Sequence, residues 1–179
     1  IPGAHNIKNA QAALAVARAL GVADAVAVKA LEKFSGTWRR FEFRGETPAG
    51  ARVYDDYAHH PTEIKATLQA AREVASRGQQ IFVVFQPHLY SRTKQLFNDF
   101  ATSFVEANRV FVAPIYAARE PVDPSVTSLS LAKAIGAKAE AALDLEALGQ
   151  TLKAVAKTGD FIITMGAGDI SDLVDNILV

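Results

Sequence analysis

Most side chains of this 179-residue sequence that could carry out chemistry lie in a few short stretches, each of which follows an apolar segment. The stretches are Asp55-Asp56-Tyr57-Ala58-His59-His60, Gln86-Pro87-His88-Leu89-Tyr90-Ser91-Arg92-Thr93, Pro114-Ile115-Tyr116 with Glu120 beyond it, and Met165-Gly166-Ala167-Gly168-Asp169. Arginine presents a planar fork to the two oxygens of a carboxylate or a phosphate. Histidine donates a hydrogen bond or, when neutral, accepts a proton. This mixture of side chains indicates the binding of a small anionic molecule such as a carboxylate.

The apolar segments in front of these stretches are typical of strands, and helical patterns separate them. We predict strands at 40–46, 51–56, 81–85, 110–113, 138–142 and 161–164. We predict helices at 5–20, at 23–34, from 61 onward, near 94–105, near 129–136, at 144–156 and at 169–178. This alternation predicts an α/β fold with a doubly wound, mostly parallel sheet, in which ligands bind outside the carboxyl ends of the strands. The polar stretches, with three of the four histidines, are therefore expected to share one crevice.

Each polar stretch also has a purely structural interpretation. Asp55 and Asp56 could solvate the end of a strand, and His59-His60 could cap a helix that begins at Pro61. Gly166-Ala167-Gly168 could bind a phosphate through backbone amides, but close packing of a helix on a strand explains the same residues. A zinc site built from the histidines and an aspartate is conceivable, although adjacent histidines on a loop are a poor spacing for metal ligands.

The first part of the chain reads differently from the rest. The helices predicted within residues 5–34 supply too little apolar surface for an independent core. Residues 1–38 are therefore expected to be the tail of a larger domain, on which the rest of the same protein would pack, and 39–179 to form the sheet domain. His5-Asn6 could be simple polarity at a helix start, and Arg39-Arg40, at the beginning of the sheet domain, could be an exposed pair on an edge strand.

Composition and charge exclude several classes of function. Lysine plus arginine and aspartate plus glutamate both number 19, so the sequence lacks the basic excess of a general nucleic-acid binder. The absence of cysteine excludes a disulfide framework and cysteine-based zinc sites. No apolar run approaches the roughly 18–20 residues of a membrane span. No Gly-x-x-x-x-Gly-Lys-Ser/Thr sequence occurs, so these residues alone provide no phosphate loop for a nucleoside triphosphate.

Four motifs, taken together and in this order, resemble the Mur ligase family. They are His5-Asn6-Ile7-Lys8-Asn9-Ala10, Trp38-Arg39-Arg40-Phe41-Glu42, Asp55-Asp56-Tyr57-Ala58-His59-His60-Pro61-Thr62-Glu63 and Gln86-Pro87-His88-Leu89-Tyr90-Ser91-Arg92-Thr93. The resemblance extends through essentially the whole chain, and the third and fourth motifs are its most specific part. Leu89 stands where many members have arginine, and Arg119 stands where small residues are common.

The resemblance implies an ATP-dependent, amide-forming ligase of three domains in the bacterial cytoplasm. Residues 1–38 would be the last helices of its central ATP domain, and 39–179 would be its C-terminal Rossmann-like domain. The family reaction makes an acyl phosphate from the carboxylate of UDP-N-acetylmuramate and the γ-phosphate of ATP, and the amine of L-alanine then attacks it. The phosphate loop and the Mg²⁺ ligands would lie outside this sequence, so the resemblance implies no metal ligands here and no activity for this part alone.

The resemblance also implies roles for individual residues. His5, Asn6 and Asn9 would lie at adenine, Arg40 at the ATP phosphates and Asp56 at the ribose. The L-alanine site would be formed by a second set, Tyr57, His59, His88 and Arg92, with Arg92 on the alanine carboxylate. Amide side chains pair with a purine edge, and a carboxylate accepts from ribose hydroxyls, so the residue types suit these roles.

Two alternatives remain open at this point. A related ligase recycles a tripeptide onto the same sugar, and its domain shares the Asp-Asp-aromatic-Ala-His-His-Pro stretch but not the motif that begins at Gln86. A binding module of the same fold without catalysis would also lack a phosphate loop.

Overall fold

The computed structural model describes residues Ile1–Val179 and contains one six-stranded sheet. The strands are β1 (Glu42–Glu46), β2 (Arg52–Asp56), β3 (Ile81–Phe85), β4 (Arg109–Val112), β5 (Ala139–Ala141) and β6 (Phe161–Met165). They are ordered β1-β2-β6-β3-β4-β5, and every neighbouring pair is parallel except the antiparallel hairpin of β1 and β2. The predicted doubly wound, mostly parallel sheet is confirmed.

Eight α-helices surround the sheet or precede it. They are α1 (Ala4–Ala19), α2 (Asp24–Glu32), α3 (Pro61–Val74), α4 (Tyr90–Gln95), α5 (Phe97–Ala101), α6 (Ser128–Ile135), α7 (Leu145–Val155) and α8 (Leu173–Leu178), with a 3₁₀ turn (Ile170–Asp172) in front of α8. None of them combines the length and the apolar character that crossing a bilayer requires.

Three sequence-based element predictions are wrong. The helix expected at 169–178 begins as a 3₁₀ turn (Ile170–Asp172), and α8 starts only at Leu173. The single helix expected near 94–105 is two short helices, because Leu96 leaves helical geometry (φ −104°, ψ 20°) and Phe100 beyond it is fully buried. The first strand was expected from Arg40 but begins at Glu42. Arg39 and Phe41 on either side of Arg40 have left-handed φ values of 51° and 47°, which an extended strand cannot include.

The core lies on both faces of the sheet, because side chains alternate along each buried strand. Every residue of β3 and β6 is buried. In β3, Val83 and Phe85 belong to the cluster beneath α3, α5 and α6, whereas Phe82 and Val84 belong to the cluster beneath α7 and α8. Continuous burial of this kind is the reason that these two strands read as uninterrupted apolar runs in the sequence.

The two N-terminal helices stand apart from this core. Neither α1 nor α2 has a buried residue, and apolar side chains such as Ile7, Val16 and Val26 are more than half exposed. The helices pack on each other, and α1 also contacts α3. Isolated helices of this length are marginally stable in water, so these contacts provide most of what holds them.

We therefore predict that α1 and α2 open far more readily than the sheet. In native-state hydrogen exchange of this chain, their amides should be protected at least about 100-fold less than those of β3. Exchange measured by NMR gives both values in one sample, and β6 serves as the internal reference for the core. Equal protection of α1 and β3 would show that the helical pair is as stable as the sheet.

Candidate functional site

A cavity of about 920 Å³ lies between α1, the segment before β1, and α3. The structure brings all five residues predicted for ATP into its lining, from three separate parts of the chain: His5, Asn6, Asn9, Arg40 and Asp56. Other lining side chains were not predicted to contact the nucleotide: Phe41, Thr62, Glu63 and Thr67. The volume falls within the range of ordinary small-molecule sites.

Asp56 forms the floor of this cavity at the end of β2. Its carboxylate accepts the backbone N–H of Phe41 at 2.7 Å and of Ala58 at 2.7 Å, and the hydroxyl of Thr67 at 3.2 Å. Burial raises the pKa of Asp56, while these hydrogen bonds and the charge of Arg40 act in the opposite direction. A carboxylate has about four acceptor positions, so one remains for a ligand hydroxyl. Asp56 thus both organises the loop and offers an acceptor to the cavity.

Arg40 is the exposed cation of the same cavity. Its side chain is 53% exposed, and its Nη1 lies 3.9 Å from the Glu63 carboxylate, too far for a strong ion pair in water. The guanidinium also lies 5.7 Å from the ring centroid of Tyr57. A loosely held guanidinium of this kind is available to an anionic group that enters the cavity.

The asparagines of α1 face the cavity with hydrogen-bonding capacity to spare. Asn6 donates its Nδ2–H to the carbonyl of Pro2 at 2.7 Å, and Asn9 lies 3.5 Å from the Asn6 side-chain oxygen. These contacts use only part of the donors and acceptors of two amide groups. His5 lines the same wall, so this end of the cavity can match the edge of a flat, polar heterocycle.

The second predicted group of residues forms a series of rings outside the ends of β2 and β3. The ring centroids of Tyr57 and His59 are 5.5 Å apart, and those of His59 and His88 are 6.2 Å apart. Tyr116 stacks on His88 at 5.5 Å. The structure therefore brings these side chains together, and the crevice includes Tyr116, which the sequence had placed at the same sheet edge.

The tautomer of His59 follows from its neighbours. Its Nδ1 lies 3.0 Å from the carbonyl oxygen of Tyr57 and 3.4 Å from the Glu63 carboxylate. Both neighbours only accept hydrogen bonds, so Nδ1 carries a proton. The Nε2 atom of neutral His59 is consequently an acceptor.

Two buried polar atoms in this crevice have no partner within the protein. They are Nδ1 of His88 and Nη1 of Arg92. An unpaired buried donor destabilises the structure by about 1–3 kcal/mol, and more when it is charged. A carboxylate bound beside Arg92 would supply the missing acceptor, so this pair fits an anionic ligand.

The pKa of His88 lies below that of an ordinary histidine. Burial lowers it most, and the positive charge of Arg92 lowers it further. Since the unfolded chain binds this proton more readily, His88 makes the fold less stable as the pH falls below 6.5.

The loop after β4 braces this crevice. Tyr116 donates its N–H to the carbonyl of Pro87 at 2.8 Å and accepts the N–H of Leu89 at 2.9 Å. The carboxylate of Glu120 accepts both the N–H of Ser91, at 2.9 Å, and the Ser91 hydroxyl. The start of α4, and with it the helix that carries Arg92, is held by these contacts. Leu89 brings no charge to the site.

The geometry decides between the alternative interpretations of His60. His60 does not join the crevice, because it caps α3: its Nδ1 accepts the N–H of Thr62, and Glu63 accepts the N–H of His60 in return. No three His, Cys, Asp or Glu side chains lie close enough together to hold a metal ion.

The glycine motif after β6 is explained by close packing. A Cβ on Gly168 would lie 2.3 Å from the side-chain oxygen of Gln86 and 2.8 Å from the ring of Tyr116. The segment beyond it is only a 3₁₀ turn, which is too short to form a helical phosphate site. Gly166-Ala167-Gly168 therefore lets the loop approach its neighbours.

The alternative interpretation of Arg39-Arg40 as an exposed pair on an edge strand is wrong for Arg39. Arg39 is only 3% exposed and forms an ion pair with Asp55, which is fully buried. Nothing in the local sequence distinguishes one arginine of the pair from the other. Glu63 was also missed as a residue of the site, although its position three residues after a helix cap was a usable signal.

Comparison with known proteins agrees with this architecture. Residues 39–168 match the family described as Mur ligase, glutamate ligase domain. The chain belongs to the Mur ligase family. The four sequence motifs predicted this family, and the match confirms the prediction.

Individual Mur ligases share sequence and structure with the chain. Proteins named UDP-N-acetylmuramate–L-alanine ligase from Thermobifida fusca and Mycolicibacterium smegmatis are 46% and 44% identical to it, over 97% and 99% of its length. The crystal structure of UDP-N-acetylmuramate-alanine ligase MurC from Thermotoga maritima is 32% identical over 99% of the chain, with a TM-score of 0.80. The chain spans 38%, 37% and 37% of the lengths of these Mur ligases, respectively.

The environment of His88 generates a prediction for its titration. In this chain, the imidazole should titrate below 6.5, and Arg92→Ala should move the midpoint upward because one of the charges that lowers the pKa is removed. NMR of the imidazole signals across about pH 4–8, an interval that includes the pKa of an ordinary histidine, measures both midpoints. Arg109→Ala is the control, since Arg109 begins β4 at the opposite end of the sheet. A midpoint that Arg92→Ala leaves unchanged would place the two side chains in separate environments.

Proposed function

We propose that this chain is the C-terminal part of an ATP-dependent ligase that adds L-alanine to UDP-N-acetylmuramate through an acyl phosphate. Residues 1–38 would belong to the ATP domain and 39–179 to the C-terminal domain, and the family match that begins at residue 39 supports this division. The names of the curated relatives support the choice of substrate. The observation that carries the proposal is that one loop, Asp56–Glu63, contributes to both the cavity beside α1 and the ring-lined crevice.

In this proposal, the cavity beside α1 holds the nucleotide. Asn6 and Asn9 present amide groups to the adenine edge, and the remaining acceptor position of Asp56 takes a ribose hydroxyl. Arg40, which is bound only loosely to Glu63, turns its guanidinium to the phosphates. Binding and orientation of ATP are the tasks of these residues, and the chain offers no set of metal ligands of its own. Mg²⁺ would therefore arrive with the phosphates and be held by residues outside this sequence.

The crevice beyond the loop holds L-alanine. Arg92 pairs with the alanine carboxylate through the Nη1 that lacks a protein partner, and the His88 ring, whose pKa is lowered by burial and by Arg92, lies beside it. The acceptor Nε2 of His59 orients the amine. Attack forms the bond from nitrogen to the carbonyl carbon, breaks the bond from that carbon to the phosphate oxygen, and releases inorganic phosphate and a proton. Holding alanine by its carboxylate brings the amine toward the acyl phosphate across the loop.

The chain alone should form no amide and should bind ATP weakly. It supplies contacts to adenine, ribose and one side of the phosphates, but its sequence contains no phosphate loop. Calorimetry should give a dissociation constant above about 1 μM, equivalent to binding weaker than about −8 kcal/mol. Sub-micromolar affinity, or amide formation by the chain alone, would show that the main determinants lie within these residues.

Arg92 provides the sharpest test of the amino-acid site. In the intact ligase, Arg92→Ala should raise the KM for L-alanine about 10–100-fold, because a charge-assisted hydrogen bond contributes on the order of 1.5–3 kcal/mol. Arg92→Lys should recover only part of this loss, since lysine lacks the planar fork. Steady-state kinetics should show a much smaller change in the KM for ATP, and Arg109→Ala should leave both constants unchanged.

The same kinetics discriminate between substrates. A tripeptide that begins with L-alanine has no carboxylate on that residue, so it cannot form the pair with Arg92 and should be a poor substrate. Efficient ligation of such a tripeptide would favour the recycling ligase instead. An L-alanine KM within twofold of wild type in Arg92→Ala, together with lower thermal stability, would make Arg92 structural and contradict the proposed site.

A further inference from the structure

The two consecutive arginines before β1 have opposite environments. Arg39 is 3% exposed, whereas the side chain of Arg40 is 53% exposed and lines the cavity. The Nε–H of Arg39 donates to Asp55 at 2.6 Å, and Thr164 donates its hydroxyl to the same carboxylate at 2.6 Å. Burying this pair requires that its remaining hydrogen-bonding groups be satisfied as well.

The other N–H groups of Arg39 reach a third segment of the chain. Nη2–H donates to the carbonyl of Gly166 at 2.8 Å, and Nη1–H donates to the carbonyl of Gly168 at 3.1 Å. One guanidinium therefore joins the segment before β1, the end of β2 and the loop after β6. The planar fork of arginine makes these simultaneous bonds, which the single ammonium of lysine cannot reproduce.

The backbone around Arg39 transmits this anchorage to the ligand sites. Its carbonyl accepts the N–H of Tyr57 at 2.7 Å, and its guanidinium lies 5.2 Å from the centroid of the Tyr57 ring. Phe41 donates its N–H to Asp56, as described above. Arg40 lies between two residues held in left-handed conformations, so its direction depends on the contacts of both neighbours.

We infer that Arg39 is a positioning residue: its buried guanidinium fixes the segment before β1 so that Arg40 faces the nucleotide cavity and Tyr57 faces the amino-acid crevice. It acts on ligands only through these neighbours. The inference rests on the proposed function, because that function assigns ATP to the cavity. It also gives the loop after β6 a role, since the backbone carbonyls of Gly166 and Gly168 are acceptors for the anchor.

Trp38 allows the anchor to be tested without activity. It is the only tryptophan, it is 74% exposed, and the Arg39 guanidinium lies 5.7 Å from its ring centroid. In this chain, Arg39→Lys should free the segment before β1 from its contacts with Asp55, Gly166 and Gly168. The time-resolved fluorescence anisotropy of Trp38 should therefore decay faster. In an NMR titration with ATP that follows the amide of Phe41, the Kd should rise about tenfold through loss of an oriented charge-assisted contact.

Arg72→Lys is the matched control. The Arg72 guanidinium also donates to two carbonyls, those of Gln79 and Glu106. These residues precede β3 and β4, so the contacts lie at the amino ends of the strands, away from both candidate sites. This variant should lower thermal stability without changing the Trp38 anisotropy or the Kd for ATP. Asp55→Asn is the second test variant, because it keeps the side-chain volume but removes the charge and replaces one of the two oxygens that accept from Arg39 and Thr164 with an NH2 donor.

Each result decides a separate question. An unchanged Trp38 anisotropy in folded Arg39→Lys would overturn the anchor, and an unchanged Kd for ATP would overturn its role in positioning. Loss of the fold in both Arg39→Lys and Asp55→Asn, while Arg72→Lys stays folded, would make Arg39 purely structural and also overturn the proposal. Failure of the wild-type chain to bind ATP at all would contradict the proposed function, and the positioning role with it.

Discussion

Parallel pairing in a single register is the constraint on which the rest of this structure depends. Asp56 of β2 pairs with Met165 of β6, Met165 pairs with Phe85 of β3, and Phe85 pairs with Val112 of β4. Four strands therefore end at the same level, and the loops that follow them must share one edge of the sheet. Complete burial of β3 and β6 makes this arrangement rigid, because a shift in register would move apolar side chains out of both cores.

The loop from β2 to α3 turns that edge into two adjacent sites. Asp56 accepts two backbone N–H groups and so fixes where the chain leaves the strand. At the other end, Glu63 accepts the N–H groups of both His59 and His60 at the start of α3. Asp56 and Glu63 line the cavity beside α1, while Tyr57 and His59 belong to the ring series. One short segment therefore contributes to both features.

Charge is distributed over these sites according to burial. The guanidinium of Arg39 is buried, and each of its nitrogen atoms donates a hydrogen bond within the protein. Two other guanidiniums keep free hydrogen-bonding capacity: Arg40 is exposed, and Arg92 has a buried N–H group without a partner. Arg39 and Arg40 show that adjacent residues of the same type can have opposite environments where the backbone is left-handed at Arg39 and Phe41.

The sequence alone determined the alternation of strands and helices, the mostly parallel sheet and the family. Burial of a strand on one face or on both faces leaves an alternating or a continuous apolar pattern, which is visible in the sequence. The four motifs are also short, contiguous stretches of the chain. It also placed Asp56, His59 and His88 at one edge, since that follows from strand order in any sheet of this class. Only the tertiary structure decided that Arg39 is buried, that His60 caps a helix, and that the helix near residue 96 breaks. The burial of Arg39 and the helix break depend on which groups from distant segments are close enough to accept a hydrogen bond or to pack, and local periodicity contains no information about such distances. The cap at His60 is a local contact with Thr62 and Glu63, which the sequence offered as one of two interpretations and the structure selected.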